Sequence, residues 1–338
     1  MKDKVKVKLV NRGSKETQES FWRPQTPGNK GILGSCEFTF NPLDENYDWL
    51  VVIDDVPKLL KNWTEELKCP KENTIFVSTE PSSISYYGKA FVNQFKYLIT
   101  NHKEDNLPHK NALRSHTGNV WMYGKDYDSL LKENTPHKKT KKISTICSNK
   151  QQGHTVHKMR FNFTKKMEDE IKELERFGRG FKWIDTKAEA IDDYEFHVTI
   201  ENHIEDNVWT EKLADAFLGY SVPIYYGCPN VYDYFPKDSL IQIDISNMDK
   251  SIEEIKKIIS NKDEYKRRLP AVIEARRRVI EEYNLLAMIN KIVESSKRYE
   301  FTPNEKIYCR RKMRAKNISD LYKFLKFRIN NHLKEYKK

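Results

Sequence analysis

No apolar run in these 338 residues approaches the ~20 that a membrane-spanning helix needs, so none is expected. Nothing secretory opens the chain: MKDKVKVKLVN alternates Lys with Val and Leu where a signal peptide would be continuously apolar, and reads as a first strand. Cysteine is sparse. The five (Cys36, Cys69, Cys147, Cys228, Cys309) have neither a zinc spacing nor the look of a disulfide framework, which suits a reducing cytoplasm. An internal repeat is absent too. A net excess of positive charge is nearly missing from most of the chain: of the net +11, residues 301 to 338 carry nine, with twelve Lys/Arg against three acids. The body is nearly neutral, and its partners cannot be read from overall basicity.

What is present is apolar and aromatic material, 38% hydrophobic residues with 18 Tyr and 16 Phe, enough for two cores of roughly 150 residues each and too much for disorder. KVKVKLV, DWLVVIDDV, TIFVST and FKYLITN read as strands in the first half, with VPKLLKNWTEEL as a helix between two of them. After a polar stretch ending in HKKTKK come the strand KISTICSN and a helix from about Met159 to Glu175. GRGFKWID then reads as turn and strand, and TKAEAIDDY as a short helix before the strand FHVTI. SLIQIDI, the helix SIEEIKKIIS and a helical region from about Asp263 to Lys297 follow, the last kinked or divided at Pro270. Strands alternating with helices predict two parallel α/β layers of the doubly wound kind.

One stretch is odd. In NVWTEKLADAFLGYSVPIYYG (207 to 227), Thr210 reads as an N-cap, with Glu211 and Lys212 in the first turn and Leu213, Ala216 and Phe217 as the buried stripe. Lys212 opposes the helix dipole there. A bound anion reverses that penalty, because free N–H groups, dipole and ammonium then converge on one phosphate. The alternative is that Glu211 satisfies the dipole and Lys212 extends to water.

IENHIEDNVWTEKLADAFLGYSVPIYYGCPNVYDYFP resembles the donor-domain signature of family-10 glycosyltransferases, the α-1,3/1,4-fucosyltransferases. The likeness extends through ICSNK, the Arg160 helix, FGRGF, WRPQTPGNKGILGSCEFTFN and FVSTEP, so it covers most of residues 20 to 260. It implies an α/β GT-B architecture of two Rossmann-like domains facing across a cleft. Residues 1–124 would bind the acceptor, 125–142 would be a linker, 143–300 would bind the nucleotide sugar, and 301–338 would be a basic amphipathic tail. The implied reaction is inverting transfer from GDP-L-fucose, with no cofactor or metal required.

By the same resemblance Glu80, after the TIFVST strand, matches the general base, while Lys212 and Arg160 match the diphosphate clamp. A guanidinium suits that task because it binds bidentately. Glu211 and Asn202 match neighbouring donor contacts, and Ser148 and Asn149 would reach the phosphates. Two positions depart from the family: His203 stands where Ser or Thr is usual, and Val208 where the YVTEK run begins with Tyr. They leave the ribose contact and the donor sugar open, with a GDP-linked 6-deoxyheptose as the alternative. HTVH (His154, His157) lacks an evident third metal ligand, Asp54-Asp55 reads as a contact to a sugar hydroxyl, and FGRGF as a turn with Arg179 possible near guanine.

In ISDLYKFLKFRINNHLKEYKK the residues Leu321, Phe324, Leu325, Ile329 and Leu333 recur at helical spacing with Lys and Arg on the flanks. This reads as a helix for an anionic membrane surface, and bacterial relatives end similarly. The expected setting is the cytoplasm, peripheral on the inner membrane face, with a saccharide or lipid-linked glycan as acceptor. A nucleic-acid-binding tail is the distant alternative; it leaves 210 to 227 unexplained.

Overall fold

The computed structural model describes residues 4–15, 19–118, 120–151 and 156–336, with the side chains of 333–336 left aside. The chain divides into two units, one formed by Met1–Val120, Asp126–Asp128 and Asn284–Lys337, the other by Trp121–Lys125 and Ser129–Tyr283.

The first unit holds β1 (Val5–Asn11), β2 (Ile32–Leu33), β3 (Cys36–Thr39), β4 (Trp49–Ile53), β5 (Thr64–Glu66), β6 (Thr74–Val77), β7 (Tyr97–Thr100) and β8 (Ala112–Arg114). Seven form one sheet in the order β2-β3-β1-β4-β6-β7-β8, parallel except at β2–β3. Alternate residues feed opposite faces, as period-two geometry requires. Val51, Ile53, Ile75, Val77 and Ile99 meet Leu285, Leu286, Ile289 and Val293 of the helix Leu285–Ser295, whereas Leu50, Val52, Phe76 and Leu98 meet Phe91, Val92, Phe95 and Ile307. Both faces are covered, so these strands are almost wholly apolar.

Several expectations are corrected here. Residues 284–300, assigned to the second domain, pack on the first unit's sheet. The division of the last helical region falls at Glu282–Asn284, and the helix Glu264–Glu281 runs through Pro270. VPKLLKNWTEEL is not an α-helix: Lys61–Trp63 is one 3-10 turn leading into β5, which pairs antiparallel with Lys306–Tyr308. The alternation in β1 also misleads, because Lys8 is buried and paired with Glu65 at 2.8 Å.

In the second unit β9 (Lys141–Ile146), β10 (Leu174–Phe177), β11 (Tyr194–Ile200), β12 (Val222–Tyr226) and β13 (Ile241–Gln242) form an all-parallel sheet in the order β10-β9-β11-β12-β13. GRGFKWID follows β10 as a loop, and the strand lies in the residues before it. β9 connects to β10 on one side and β11 lies on its other side. The strand order therefore reverses between β9 and β11, and open α/β sheets bind ligands outside the carboxyl ends at such a point. Ser148 and Glu201–Asn202 stand there.

Candidate donor-binding site

β11 ends at Ile200 because the chain turns polar at Glu201. That residue is fully buried. Its carboxylate accepts the Thr210 amide at 2.9 Å and the Thr210 hydroxyl at 2.8 Å, and lies 3.5 Å from the Lys212 ammonium. Gly227, closing PIYYG, leaves room for it: a Cβ there would fall 2.5 Å from Cγ of Glu201. Thr210 is the N-cap of the helix Glu211–Leu218, with extended backbone and a hydroxyl that accepts the Lys212 amide at 3.3 Å. Lys212 does not reach away to water. Its Nζ donates to Thr210 Oγ1 at 3.1 Å and to Glu211 Oε1 at 3.0 Å.

Burial alone would lower the pKa of Lys212, but the Glu201 and Glu211 carboxylates hold it above its ordinary value. Burial pushes the Glu201 carboxyl up. Glu211 is held below the carboxylate range against its own burial, chiefly by Lys212 and then Lys187. The helix start is thus a fixed ammonium gripped by one shared and one buried acid.

Arg160, on the helix His157–Glu170, is buried, with 6% of its surface exposed. Nη1 donates to Oδ1 of Asn202 at 2.8 Å, and Nε is buried with no hydrogen-bond partner among the described residues. Among the described residues no carboxylate pairs with it. Arg160 and Lys212 line one cavity of about 180 Å³ together with Ser148, Glu211, Lys187, Asp215, His197 and Thr199, whose hydroxyl is also buried without a partner. His157 records the local field: burial first, then Arg160, Lys150, His203 and Lys212, depress its pKa to about 4. Partnerless buried donors in a positive enclosure are what an oxyanion would satisfy.

The sequence candidates Arg160, Lys212, Glu211 and Ser148 come together in this cavity, with Asn202 holding Arg160. Asn149 does not line it; its amide donates to the Arg179 carbonyl in the loop after β10. Sequence reasoning missed Glu201, whose only signal is an acid directly after an apolar strand, and the pair Lys187–Asp215 at 2.6 Å. Asp215 is fully buried on the inner face of the Glu211–Leu218 helix, and burial lifts its pKa to about 6 against the pull of Lys187. Val208, where the resemblance implies a Tyr, is buried. His154 lies outside the described residues, and among those described no group of three or more His, Cys, Asp or Glu could hold a metal.

Glu80 belongs to the first unit, in the turn after β6, and its surface is exposed. Partial burial by that turn, then the Asp54 charge, raise its pKa, while Arg310 pulls the other way. Asp54 and Asp55 do not present free carboxylates to a sugar. Asp54 accepts three protein donors, and Asp55 accepts the Arg310 amide at 2.9 Å and pairs with its guanidinium at 3.3 Å.

Residues 136–270 match the family described as glycosyltransferase family 10 (fucosyltransferase) C-term. An alpha-(1,3)-fucosyltransferase of Helicobacter pylori is 34% identical over 83 residues, 24% of this chain and 17% of that protein. An alpha-(1,4)-fucosyltransferase of Arabidopsis thaliana is 43% identical over 60 residues, 18% of this chain and 15% of that protein. The matched stretches thus span under a fifth of each curated relative. In fold, the crystal structure of an alpha1,3-fucosyltransferase with GDP-fucose matches with a TM-score of 0.51 at 18% identity, covering 88% of this chain and 93% of that one. An alpha-glucosyltransferase in complex with UDP matches with a TM-score of 0.50 at 8% identity, covering 86% of this chain and all of that one. The fold is that of GT-B glycosyltransferases.

Proposed function

We propose that residues 136–270, which match the family-10 model, form a glycosyltransferase domain and that the chain is an inverting fucosyltransferase. It moves L-fucose from GDP-L-fucose to a hydroxyl of a surface glycan or lipopolysaccharide. The acceptor oxygen bonds to the sugar's anomeric carbon as the bond to the β-phosphate oxygen breaks. Glu80 takes the acceptor proton, and GDP departs with its new charge held by Arg160 and Lys212. The raised pKa of Glu80 suits a base, since a carboxylate nearer neutrality accepts a proton with more driving force.

The observation that carries this reading is the buried guanidinium of Arg160, unpaired with any acid among the described residues and sharing a cavity with Lys212 at the switch point. The structure of a relative with GDP-fucose supports the choice of donor. Calorimetric titration with GDP and hydrolysis assays across GDP-sugars test it. Micromolar GDP binding with fucose release is expected, and a protein that binds no guanine nucleotide would end the proposal. Val208, buried where the family has Tyr, favours one second reading, a GDP-linked 6-deoxyheptose as donor. The same hydrolysis panel separates the two.

The tail has its own reading, an anionic membrane surface on the cytoplasmic side. On the helix Ile318–Tyr336, Ile318, Leu321, Tyr322, Leu325 and Ile329 are exposed at spacings of three and four. Asp320, Phe324, Phe327 and Asn331 form a different stripe: Asp320 is buried, the Phe327 ring lies tilted against Tyr86 with centroids 6.3 Å apart, and Asn331 donates to the Ser83 carbonyl at 3.0 Å. The docked stripe leaves the apolar one outward, with Lys326 and Arg328 beside it, which suits interfacial binding. Flotation of the full chain should succeed with phosphatidylglycerol vesicles and fail with phosphatidylcholine alone; equal flotation with both would refute the electrostatic part.

A further inference from the structure

The first unit has its own switch point, between β1 and β4, where the chain order again reverses. Asp54 stands at the end of β4 with φ of 60°, a left-handed conformation that Asp and Asn tolerate better than most residues. Its carboxylate faces the turn after β6. Oδ1 accepts the Thr79 amide at 2.9 Å and also the Tyr87 hydroxyl, and Oδ2 accepts the Thr79 hydroxyl. Tyr87 is buried, and its oxygen accepts the Glu80 amide at 3.4 Å. Its ring packs on His102 at 5.2 Å, and His102 Nε2 donates to the Glu80 carbonyl at 3.0 Å. Both backbone groups of Glu80 are therefore tied into one buried network that ends on Asp54.

We propose that Asp54 is a positioning residue for the transfer reaction: it locks the Thr79–Glu80 turn and sets a fixed negative charge beside the Glu80 carboxylate. This rests on the reading of Glu80 as general base. Asp54 and Arg310 act on that carboxylate through their charges, while Tyr87 and His102 hold the Glu80 backbone. Asp54 comes from the end of β4, Tyr87 and His102 from the flanking segments, and Arg310 from the helix Arg310–Lys316, its guanidinium 5.0 Å from the Tyr87 ring. Partial burial raises Glu80, Asp54 adds to the rise, and Arg310 opposes it. Asp54 thus makes a stronger base of a side chain that must lose its proton before it can act.

Asp54→Asn separates charge from shape. The amide oxygen still accepts from Thr79 and Tyr87, the amide nitrogen donates to the Thr79 hydroxyl, and Asn keeps the left-handed backbone. With GDP-fucose and N-acetyllactosamine as the probe acceptor, the acid limb of kcat/KM should move to lower pH by about one unit or less, because an exposed carboxylate is screened. GDP affinity should not change. A folded Asp54→Asn protein with the wild-type limb overturns the charge part. Tyr87→Phe probes the anchoring alone: kcat should fall at least about tenfold with the limb in place, and a folded Tyr87→Phe with wild-type kcat overturns the positioning part. If Glu80→Gln itself transfers normally, the general-base reading fails instead, which these two variants do not test.

Discussion

Arg160→Met should stabilise the ligand-free protein while destroying its affinity for GDP. The two effects have one cause. Arg160 places its guanidinium where 6% of its surface is exposed and, among the described residues, makes one side-chain bond to Asn202 and leaves Nε buried and unused. An unsatisfied buried donor costs about 1–3 kcal/mol. Methionine retains most of the aliphatic stem and removes that donor. The lost bond to Asn202 offsets part of the gain, because Asn202 is only half-buried and water can replace the guanidinium. A net gain of about 1 kcal/mol remains, or roughly 2–4 °C in Tm for a unit of this size.

With the diphosphate bound the balance inverts. Two charge-assisted bonds from guanidinium to phosphate are worth about 1.5–3 kcal/mol each. Their loss weakens GDP by about 10²–10⁴-fold, at 1.4 kcal/mol per decade. Scanning fluorimetry with and without GDP reads both effects, and calorimetry supplies the affinity. Wild type should gain about 2.7 kcal/mol of stability at a GDP concentration a hundred times Kd, and Arg160→Met should gain almost nothing there. A methionine variant that melts lower than wild type without ligand, yet still responds to GDP, would refute the view of Arg160 as a charge held in waiting.

Glu80→Gln should leave GDP binding intact and cost about 10²–10⁴ in turnover, the usual share of a general base; normal turnover sinks that role. Lys212→Ala should abolish GDP binding and, by leaving the buried Glu201 without its cation, also lower Tm, both visible in one melting series. His197 is fully buried against the Ser144 hydroxyl at 2.8 Å, and burial drops its pKa to about 3. The unfolded chain takes up this proton near 6.5 and the folded one does not, so stability falls as pH drops below 6.5, by about 3 kcal/mol at pH 4. Urea titrations of His197→Gln should show a flatter profile over that window, and an unchanged slope rejects the assignment. Asp320 accepts the Lys89 and Ala90 amides at 3.1 and 2.7 Å and the Tyr86 hydroxyl at 3.0 Å. Asp320→Ala should therefore cost about 2–3 kcal/mol, and deleting residues 317–338 a similar amount; a truncated chain of wild-type stability would mean the tail is only an anchor.

What the sequence disclosed, and what it hid, follow from the range of the physics involved. Thr210, Glu211 and Lys212 were legible because N-capping acts over two or three residues, and the Thr210 hydroxyl does meet the Lys212 amide. The apolar parallel strands were legible for the same reason, their burial being written in consecutive residues. β5 was not, because Thr64–Glu66 is a strand only through its pairing with Lys306–Tyr308, more than two hundred residues away. Lys8 reads as an outward lysine in an alternating strand until Glu65 arrives from elsewhere to neutralise it. Glu201 and Asp215 looked like ordinary loop and helix acids, yet both are fully buried and each is paired with a lysine. The tail divides along the same line: its amphipathic pattern was visible, but one position in three faces the protein because Asp320 finds the open amides at Lys89 and Ala90. Local rules therefore locate the helix start of the proposed donor site, while the buried acids behind it, which fix the ammonium in place, are set by contacts between distant segments. A transferase tuned through those acids would keep its recognisable motif unchanged, so differences in donor affinity among similar chains should be sought at positions such as Glu201 and Asp215.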